Sequence, residues 1–231
     1  MTKRTARIIG VVYLLFFLTS ILSDGLLKRV VVHDAAATAT NILTHKSLFL
    51  LGIATGLVET GFYVALTALF YNLFKPVNRR ISLVAAFFGL VGCALQASGS
   101  VFELYPLAIL QGGPSTALFK AEQLPGLALL FLNLNDQTGN VALVFFGVYC
   151  LLIGCLILRS IFLPRFLGAL MVLAGLGWLT FLYPPLADRL FAYIAVLGIA
   201  AEALLMLWLV VRGVNAQRWQ EQVEIGRLAG E

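Results

Sequence analysis

The chain has 231 residues, of which 61% are hydrophobic and 12% are charged, and its mean hydropathy is +0.96. These few polar side chains cannot cover the surface of a soluble globular protein of this size. The composition therefore excludes a soluble globular protein and predicts an integral membrane protein. The net charge of +5 comes without a basic run or interleaved aromatic residues, which excludes a nucleic-acid partner and suits loops that face anionic lipid.

Six apolar runs predict membrane spans. A transmembrane helix needs about 20 apolar residues, and runs near or above that length occupy residues 8–23, 48–74, 81–104, 141–158, 166–183 and 190–211. The first run follows three basic residues, which is the order of a secretory signal, but no small-residue cleavage motif comes after it. We therefore interpret it as a retained first span.

Two shorter elements lie between the spans. The segment "DAAATATNIL" predicts a short helix with Asp34 as its N-cap. Residues 124–135 amount to about half a span, so they predict an interfacial or re-entrant helix that leads into the fourth span. The predicted fold is an all-α polytopic membrane helix bundle with about six transmembrane helices plus this short helix. We expect a single bundle domain at residues 1–214 and a cytoplasmic tail at 215–231.

The distribution of basic residues predicts the orientation. If the N-terminus is cytoplasmic, eleven Lys and Arg residues lie on the cytoplasmic side and five lie outside. This excess satisfies the positive-inside rule, so we expect a multi-pass protein of a bacterial cytoplasmic (inner) membrane with both termini in the cytoplasm. The long connections, 25–47 and 105–140, are then external, where ordered loops often form binding surfaces.

Several common site types lack their signatures in this chain. The two histidines, His33 and His45, belong to no HExxH motif or Cys/His cluster, so we predict no metal site. No P-loop, dinucleotide fingerprint or GxSxG elbow appears, and the spans contain no lysine for a Schiff base, so no cofactor is predicted. Cys93, Cys150 and Cys155 lie singly inside spans and are interpreted as packing residues.

Several segments resemble one known family. They are "RIIGVVYLL", "DAAATATNIL", "ALFYNLFKPVNRRISLVAAFF", "EQLPGLALLFLNLND", "FFGVYCLLIGCLILRSIFLPRFLGALMVLAGLGWL" and "EALLMLWLVVRGVN". Together they are similar to the bacterial membrane family catalogued as domain of unknown function 4386, which implies a compact multi-helix bundle and no known activity. Family members often have Leu-His-Asp where this chain has "LND". If that histidine has a catalytic role in the family, this protein either performs the same step with Asn135 or does not perform it.

Four spans each have a face of small residues that also contains an acid or an amide. Residues three or four apart share a helix face, and small residues allow close helix packing in lipid, so these faces should contact protein. The stripes are Gly52, Gly56, Glu59 and Tyr63; Gly89, Gly92, Cys93, Gln96, Gly99, Ser100 and Glu103; Asp136, Asn140, Gly147, Cys150 and Gly154; and Ala195, Gly198, Glu202 and Met206.

Glu59 and Glu202 are the deepest acids in these stripes. Each lies about a dozen residues from the outer end of its span, which at about 1.5 Å per residue is near mid-membrane. Gln96 lies close to that level, and other polar groups lie nearer the outer surface, so we predict an acidic column that opens outward. Its further members are Asp24, Glu103, Asp136 and Asn140, and its walls are Tyr13, Tyr63, Tyr149 and Trp178.

The two deep glutamates lack a basic partner within the spans. A charged carboxylate at the bilayer centre costs roughly 2.5 to 3.5 kcal/mol, so we expect one or both groups to be protonated at neutral pH. A protonated carboxylic acid in an apolar site donates protons, as general acid catalysis requires. It also serves as a hydrogen-bond link between helices, which is the structural alternative.

Three functions are compatible with this pattern. The first is a membrane enzyme for an isoprenoid or lipid-like substrate, with Glu59 or Glu202 as proton donor and the other glutamate or Asp136 as acceptor. The second is a proton-coupled transporter or binder, which the absence of visible inverted repeats opposes and the interruption at "YPPLAD" supports. The third is an accessory protein whose glutamates only join helices. We expect membrane lipids and a lipophilic small molecule as partners, and a homo-oligomer is possible. The predicted substrate-binding residues are Tyr13, Tyr63, Gln96, Glu103, Asn140 and Trp178.

Overall fold

A computed structural model describes residues 3–32, 34–113 and 116–228, with backbone only at 3, 4 and 228. His33 therefore lies outside the described residues. The described chain contains no strand and is built from eight α-helices. They are α1 (Lys3–Leu27), α2 (Ala35–Thr44), α3 (Lys46–Phe74), α4 (Arg79–Gln111), α5 (Leu124–Arg159), α6 (Arg165–Trp178), α7 (Pro184–Val211) and α8 (Ala216–Leu228).

Six of these helical segments are long and apolar enough to cross a membrane. They are α1, α3, α4, α5, α7, and α6 together with the 3-10 turn Leu179–Leu182 that follows it. The protein is therefore an all-α integral membrane helix bundle, which confirms the predicted fold class and the number of spans. The helices α2 and α8 are the two short ones.

The segment at residues 124–135 differs from its prediction in one respect. It continues into the fourth span without a break, as the first third of the 36-residue helix α5. The polar residues at 133–140 made this region look like a boundary, but polar side chains do not interrupt a helix. Thr138 donates its hydroxyl hydrogen to the Leu134 carbonyl at 2.8 Å, and Pro125 lies in the first turn, where no backbone N–H is needed.

The third span is also longer than predicted. The helix α4 continues past residue 104, through Pro106, and ends at Gln111. Gly112 follows with a φ of +74°, a left-handed conformation that favours glycine and that commonly ends helices. The sequence pattern therefore marked the end of the apolar run, whereas the glycine marks the end of the helix.

The N-cap predicted at Asp34 is confirmed. Its carboxylate accepts a hydrogen bond from the Ala37 backbone N–H at 2.7 Å. The Thr38 hydroxyl donates to the Val32 carbonyl at 2.7 Å and accepts from the Val32 N–H at 3.0 Å. These bonds fix α2 to the chain that precedes it. Its Ile42 joins a buried apolar cluster with Val30, Phe49, Ile53 and Leu132.

The chain forms two compact units. Unit 1 comprises Met1–Leu15, Phe62–Cys93 and Val141–Glu231, and unit 2 comprises Phe16–Gly61 and Ala94–Asn140. The proposed division into a bundle domain at 1–214 and a tail at 215–231 stays a prediction. The described part of that tail is the helix α8, which belongs to unit 1. Its Trp219 indole N–H donates to the Leu73 carbonyl in the last turn of α3, at 3.1 Å.

Paired glycines bring α5 and α6 together in unit 1. A Cβ atom on Gly154 would lie 2.8 Å from the Gly168 carbonyl oxygen, and one on Gly175 would lie 2.6 Å from the Gly147 oxygen. These two contacts are seven residues apart on both helices, which is two helical turns. The backbones therefore touch along an antiparallel seam, as small residues permit in lipid.

Candidate functional site

Glu202 on α7 is the best-defined acid of unit 1. The Tyr13 hydroxyl on α1 donates a hydrogen bond to its Oε2 atom at 2.8 Å. The Cys150 thiol on α5 lies 4.0 Å from the other oxygen, Oε1. Tyr13 and Cys150 are buried, whereas Glu202 is partly buried. Three helices that are distant in sequence therefore meet at one carboxyl group.

Aromatic rings surround this carboxyl group. Tyr63 and Tyr149 are both buried, their ring centroids are 5.9 Å apart, and both lie close enough to Glu202 to interact with it electrostatically. Phe146 packs edge-on against Tyr63 with centroids 4.8 Å apart. Glu202 therefore lies near two phenols, and Phe146 packs against one of them. The role of Tyr63 and Tyr149 as walls of an acidic column stays a prediction.

The Tyr149 hydroxyl has no regular hydrogen bond within the described residues. It is buried and faces the Thr67 side chain, but the Thr67 hydroxyl hydrogen already goes to the Tyr63 carbonyl at 2.8 Å. A buried hydroxyl without a settled partner is uncommon in proteins. The Thr67 oxygen can still accept a hydrogen bond, so Thr67 is the polar side chain that this hydroxyl faces within the described residues.

Small residues on α7 allow close packing one turn before Glu202. Ala201 and Gly198 are buried on the face that turns toward the interior of unit 1. A Cβ atom on Gly198 would lie 2.4 Å from the Trp178 ring, so this glycine is needed for the indole to pack across α7. Trp178 thus covers the helix one turn before Glu202, and its ring also approaches Phe181 at a centroid distance of 6.2 Å.

Unit 2 contains a different acidic arrangement, centred on Glu59 of α3. The Ser20 side chain on α1 lies close to Glu59, and Asp24, one turn further along α1, interacts with it electrostatically. Asp24 is exposed and forms an ion pair with Lys28 at 2.8 Å. The close approach of α1 and α3 is allowed by Gly56, whose Cβ atom would lie 3.1 Å from Ser23 Oγ.

Glu103 and Asp136 lie elsewhere in unit 2. Glu103 is partly buried on α4 and interacts electrostatically with Asp136 and Asp24. Asp136 is exposed on α5. The neighbouring Asn135 amide fills the space above Gly99, where a Cβ atom would lie 2.6 Å from Asn135 Oδ1. The Asn135 side chain therefore packs against α4.

The other candidates are distributed as follows. Gln96 is exposed on α4, whereas we expected it to face protein, and Asn140 is partly buried on α5. Glu202 belongs to unit 1 and Glu59 to unit 2, and the continuous acidic column stays a prediction. Within the described chain, no three His, Cys, Asp or Glu side chains converge closely enough to hold a metal ion.

Sequence reasoning missed two participants. Cys150 was interpreted as a packing residue, yet its sulfur is the neighbour of Glu202 Oε1. Its position on the small-residue stripe of α5 was the available signal. Ser20 received no role, although its spacing of four residues from Asp24 places both on one face of α1. A hydroxyl on an otherwise apolar span was therefore the signal for a partner of Glu59.

The comparisons with known proteins identify relatives but no activity. The family model described as "Domain of unknown function (DUF4386)" matches residues 8–213. An uncharacterised protein of Archaeoglobus fulgidus is 28% identical over 153 residues, which cover 65% of this chain and 76% of that protein. No solved structure gives a significant match.

Proposed function

The chain belongs to the membrane family of domain of unknown function 4386, and we propose that this member is a membrane enzyme that acts on a lipophilic substrate by carboxylic acid/base chemistry. Glu202 is its proton donor. The hydrogen bond from Tyr13 to Glu202 is the single observation that supports this most directly. A neutral phenol can donate to a carboxylate, more strongly, or to the carbonyl oxygen of a protonated acid, so it holds the group in place in both states of a proton-transfer cycle.

The geometry assigns separate tasks to the two oxygens. Oε2 is held by the Tyr13 hydroxyl at 2.8 Å. Oε1 has only the Cys150 thiol at 4.0 Å, and a thiol is a weak hydrogen-bond donor. Oε1 is therefore the oxygen from which a proton is delivered to a substrate or to which it returns.

The surroundings favour an unsaturated hydrocarbon substrate, such as an isoprenoid. In the proposed step, the Glu202 proton adds to a carbon–carbon double bond and leaves a carbocation and a carboxylate. The carboxylate then removes a proton from a neighbouring carbon, which completes an isomerisation or, after ring closure, a cyclisation. Aromatic faces stabilise cations, and Tyr63 and Tyr149 lie near Glu202, with Phe146 packed against Tyr63.

The acids of unit 2 are proposed to have a secondary role. Glu59 has a hydroxyl partner and a nearby carboxylate rather than an aromatic wall, which suits a group that exchanges protons with water. Asp136 is exposed and is proposed as a proton acceptor at the surface of its own unit. In this assignment Glu202 performs the chemistry.

The transporter alternative loses its main sequence support. The prolines of "YPPLAD" lie in the first turn of α7, where proline is favourable, and they follow the 3-10 turn that ends the fifth span. The interruption is therefore the start of a helix rather than a break within a span. The structural alternative keeps the same hydrogen bond from Tyr13 to Glu202 as a link between α1 and α7.

We further propose a location in the cytoplasmic membrane with both termini in the cytoplasm. The excess of eleven basic residues over five supports it. Because the relative from Archaeoglobus fulgidus is archaeal, we expect proteins of this kind in archaea as well as in bacteria.

Solvent-deuterium incorporation tests the proposed reaction directly. The purified protein in detergent is incubated in D2O with a polyprenol mixture and, separately, with total lipid extract from the expression host. Mass spectrometry then measures deuterium at carbon. We expect incorporation with the wild-type protein, since each protonation of a double bond brings in a solvent-derived hydron.

Glu202→Gln should abolish this incorporation while preserving the fold, and Glu122→Gln is the matched control because Glu122 is exposed. Incorporation that survives Glu202→Gln would refute the catalytic assignment. Proton-linked uptake in proteoliposomes without deuterium at carbon would favour the transporter. Wild-type behaviour of the Glu202 variant in both assays would favour the structural role.

A further inference from the structure

A basic groove lies between the turn that joins α3 to α4 and the helix α8, all within unit 1. Its volume is about 360 Å³. Three cationic side chains line it together with one indole. The lining residues are Asn72, Lys75, Pro76, Arg79, Trp219, Val223, Gly226 and Arg227.

Contacts on both sides fix the shape of this groove. The Trp219 indole N–H donates to the Leu73 carbonyl at 3.1 Å, which ties α8 to the end of α3. Further along α8, a Cβ atom on Gly226 would lie 3.1 Å from the Pro76 carbonyl oxygen. The glycine therefore allows the helix to lie close against the turn. The groove is thus built by packing rather than by loose surface side chains.

Within the described residues, no acidic side chain pairs with the cations of the groove. Lys75, Arg79 and Arg227 are exposed, and the ion pair in this part of the chain joins Lys28 to Asp24 instead. The lining contains no acid from the described residues, and the two acids of α8, Glu221 and Glu224, are exposed outside it. Three like charges on one groove favour an anionic ligand.

A second groove in unit 1 contains a cation that already has a partner within the protein. Its volume is about 510 Å³, and Arg212 and Trp208 are among its lining residues. The Arg212 guanidinium lies over the Trp208 ring, 5.7 Å from the centroid, so its charge already has a partner. Among the described residues, no aromatic ring forms a comparable cation–π contact with the three cations of the first groove.

The position of the basic groove points to a lipid. The turn at residues 75–78 joins two membrane spans, so the groove lies at the boundary between hydrocarbon and water. From Arg79, positions 83 and 87 follow at intervals of four along one face of α4. These are Leu83 and Phe87, which are 43% and 59% exposed. An apolar track therefore runs from the cationic groove along the outside of the bundle.

We propose that this groove binds the phosphate of an anionic phospholipid, whose acyl chain follows the α4 track. Arg79 and Arg227 are suited to bidentate bonds with phosphate oxygens, and Lys75 adds a compact charge. Basic pockets beside membrane spans are a known mode of head-group recognition. The site is independent of the proposed reaction at Glu202.

The test uses the whole protein in detergent and three probes: phosphatidylglycerol, phosphatidylcholine and inorganic phosphate. Native mass spectrometry measures lipid occupancy, and thermal unfolding measures stabilisation by each probe. We expect saturable binding of one phosphatidylglycerol and much weaker binding of phosphatidylcholine. The combined variant Lys75→Ala, Arg79→Ala and Arg227→Ala should weaken phosphatidylglycerol binding about tenfold or more.

Arg80→Ala is the matched control, because Arg80 is exposed beside Arg79 but does not line the groove. It should bind as the wild type does, and an equal loss in this variant would overturn the site in favour of general surface attraction. Arg227→Gln alone, in the last turn of α8, gives a milder variant should the triple one fail to fold, and it should weaken binding measurably. Inorganic phosphate that binds with equal strength and the same variant dependence would overturn the lipid as source and leave a soluble phosphate compound.

Discussion

Glu202 and Glu59 are the same residue type at the same predicted depth, yet their neighbours differ. Glu202 receives a 2.8 Å hydrogen bond from a buried tyrosine 189 residues away in sequence and lies beside an aromatic wall. Glu59 has a serine partner and interacts with Asp24, which is exposed and paired with Lys28. The depth of an acid along its span therefore does not determine its environment. That environment is determined by the side chains that other helices contribute.

The difference has a chemical consequence. A carboxyl group among buried phenols and a thiol keeps one geometry and little water, which suits proton transfer to carbon. A carboxyl group near an exposed ion pair exchanges protons with solvent readily. Glu202 and Glu59 should therefore respond differently to the same substitution.

The largest expected effect is on turnover in Glu202→Gln. If Glu202 is the proton donor, its amide replacement should lower deuterium incorporation by roughly 10² to 10⁴-fold, the usual contribution of general acid catalysis. Glu59→Gln should retain most of the activity, because proton exchange with water has other routes. The rates of both variants are compared under identical lipid conditions. Equal losses would remove the functional distinction between the two acids.

The next effect is on stability and compares the glycines that precede each acid. Gly198→Ala places a Cβ atom 2.4 Å from the Trp178 ring, and the required shift should cost about 1 to 3 kcal/mol. Gly56→Ala meets only Ser23 Oγ at 3.1 Å, and the better helix propensity of alanine offsets this by up to about 1 kcal/mol. Denaturant unfolding in mixed micelles measures both. A Gly198 variant as stable as the Gly56 variant would contradict the packing described for Trp178.

The limits of sequence reasoning follow from the same comparison. The composition and the apolar runs predicted the six spans. The N-cap at Asp34 could be predicted because its partner, the Ala37 N–H, lies only three residues away. Small-residue stripes correctly placed Tyr63 and Gly198 against protein. The partners of Glu202 come from α1 and α5, and no local pattern specifies which helices become neighbours.

Gln96 and the segment at 124–135 show the complementary errors. Gln96 matched a stripe by spacing but is exposed, because a helix face is wider than one row of residues and its edges are not fixed by period alone. The polar residues after position 132 suggested a helix boundary, yet α5 continues through them. The backbone hydrogen bonds of a helix form whether the side chains are polar or apolar. The hydropathy pattern therefore located the apolar part of the span but not the ends of the helix.

A smaller effect should follow from removal of the hydroxyl groups that hold the two acids. Tyr13→Phe deletes the 2.8 Å bond to Glu202 and should cost about 0.5 to 1.5 kcal/mol of stability. If the bond also positions Oε1 for catalysis, turnover should fall by about tenfold, since each 1.36 kcal/mol is a factor of ten in rate. Ser20→Ala should leave turnover unchanged. Loss of stability in Tyr13→Phe without loss of turnover would favour the structural role of the bond.

The smallest expected effect concerns Cys150. Cys150→Ala removes a thiol at 4.0 Å from Oε1 and opens a small cavity, and both changes together should cost about 1 kcal/mol or less. Turnover should stay near the wild-type rate, since Oε1 must be free to reach the substrate. The matched control is Cys155→Ala, a partly buried cysteine of the same helix. A loss of turnover comparable to that of Glu202→Gln would instead make the thiol part of the proton path to Oε1.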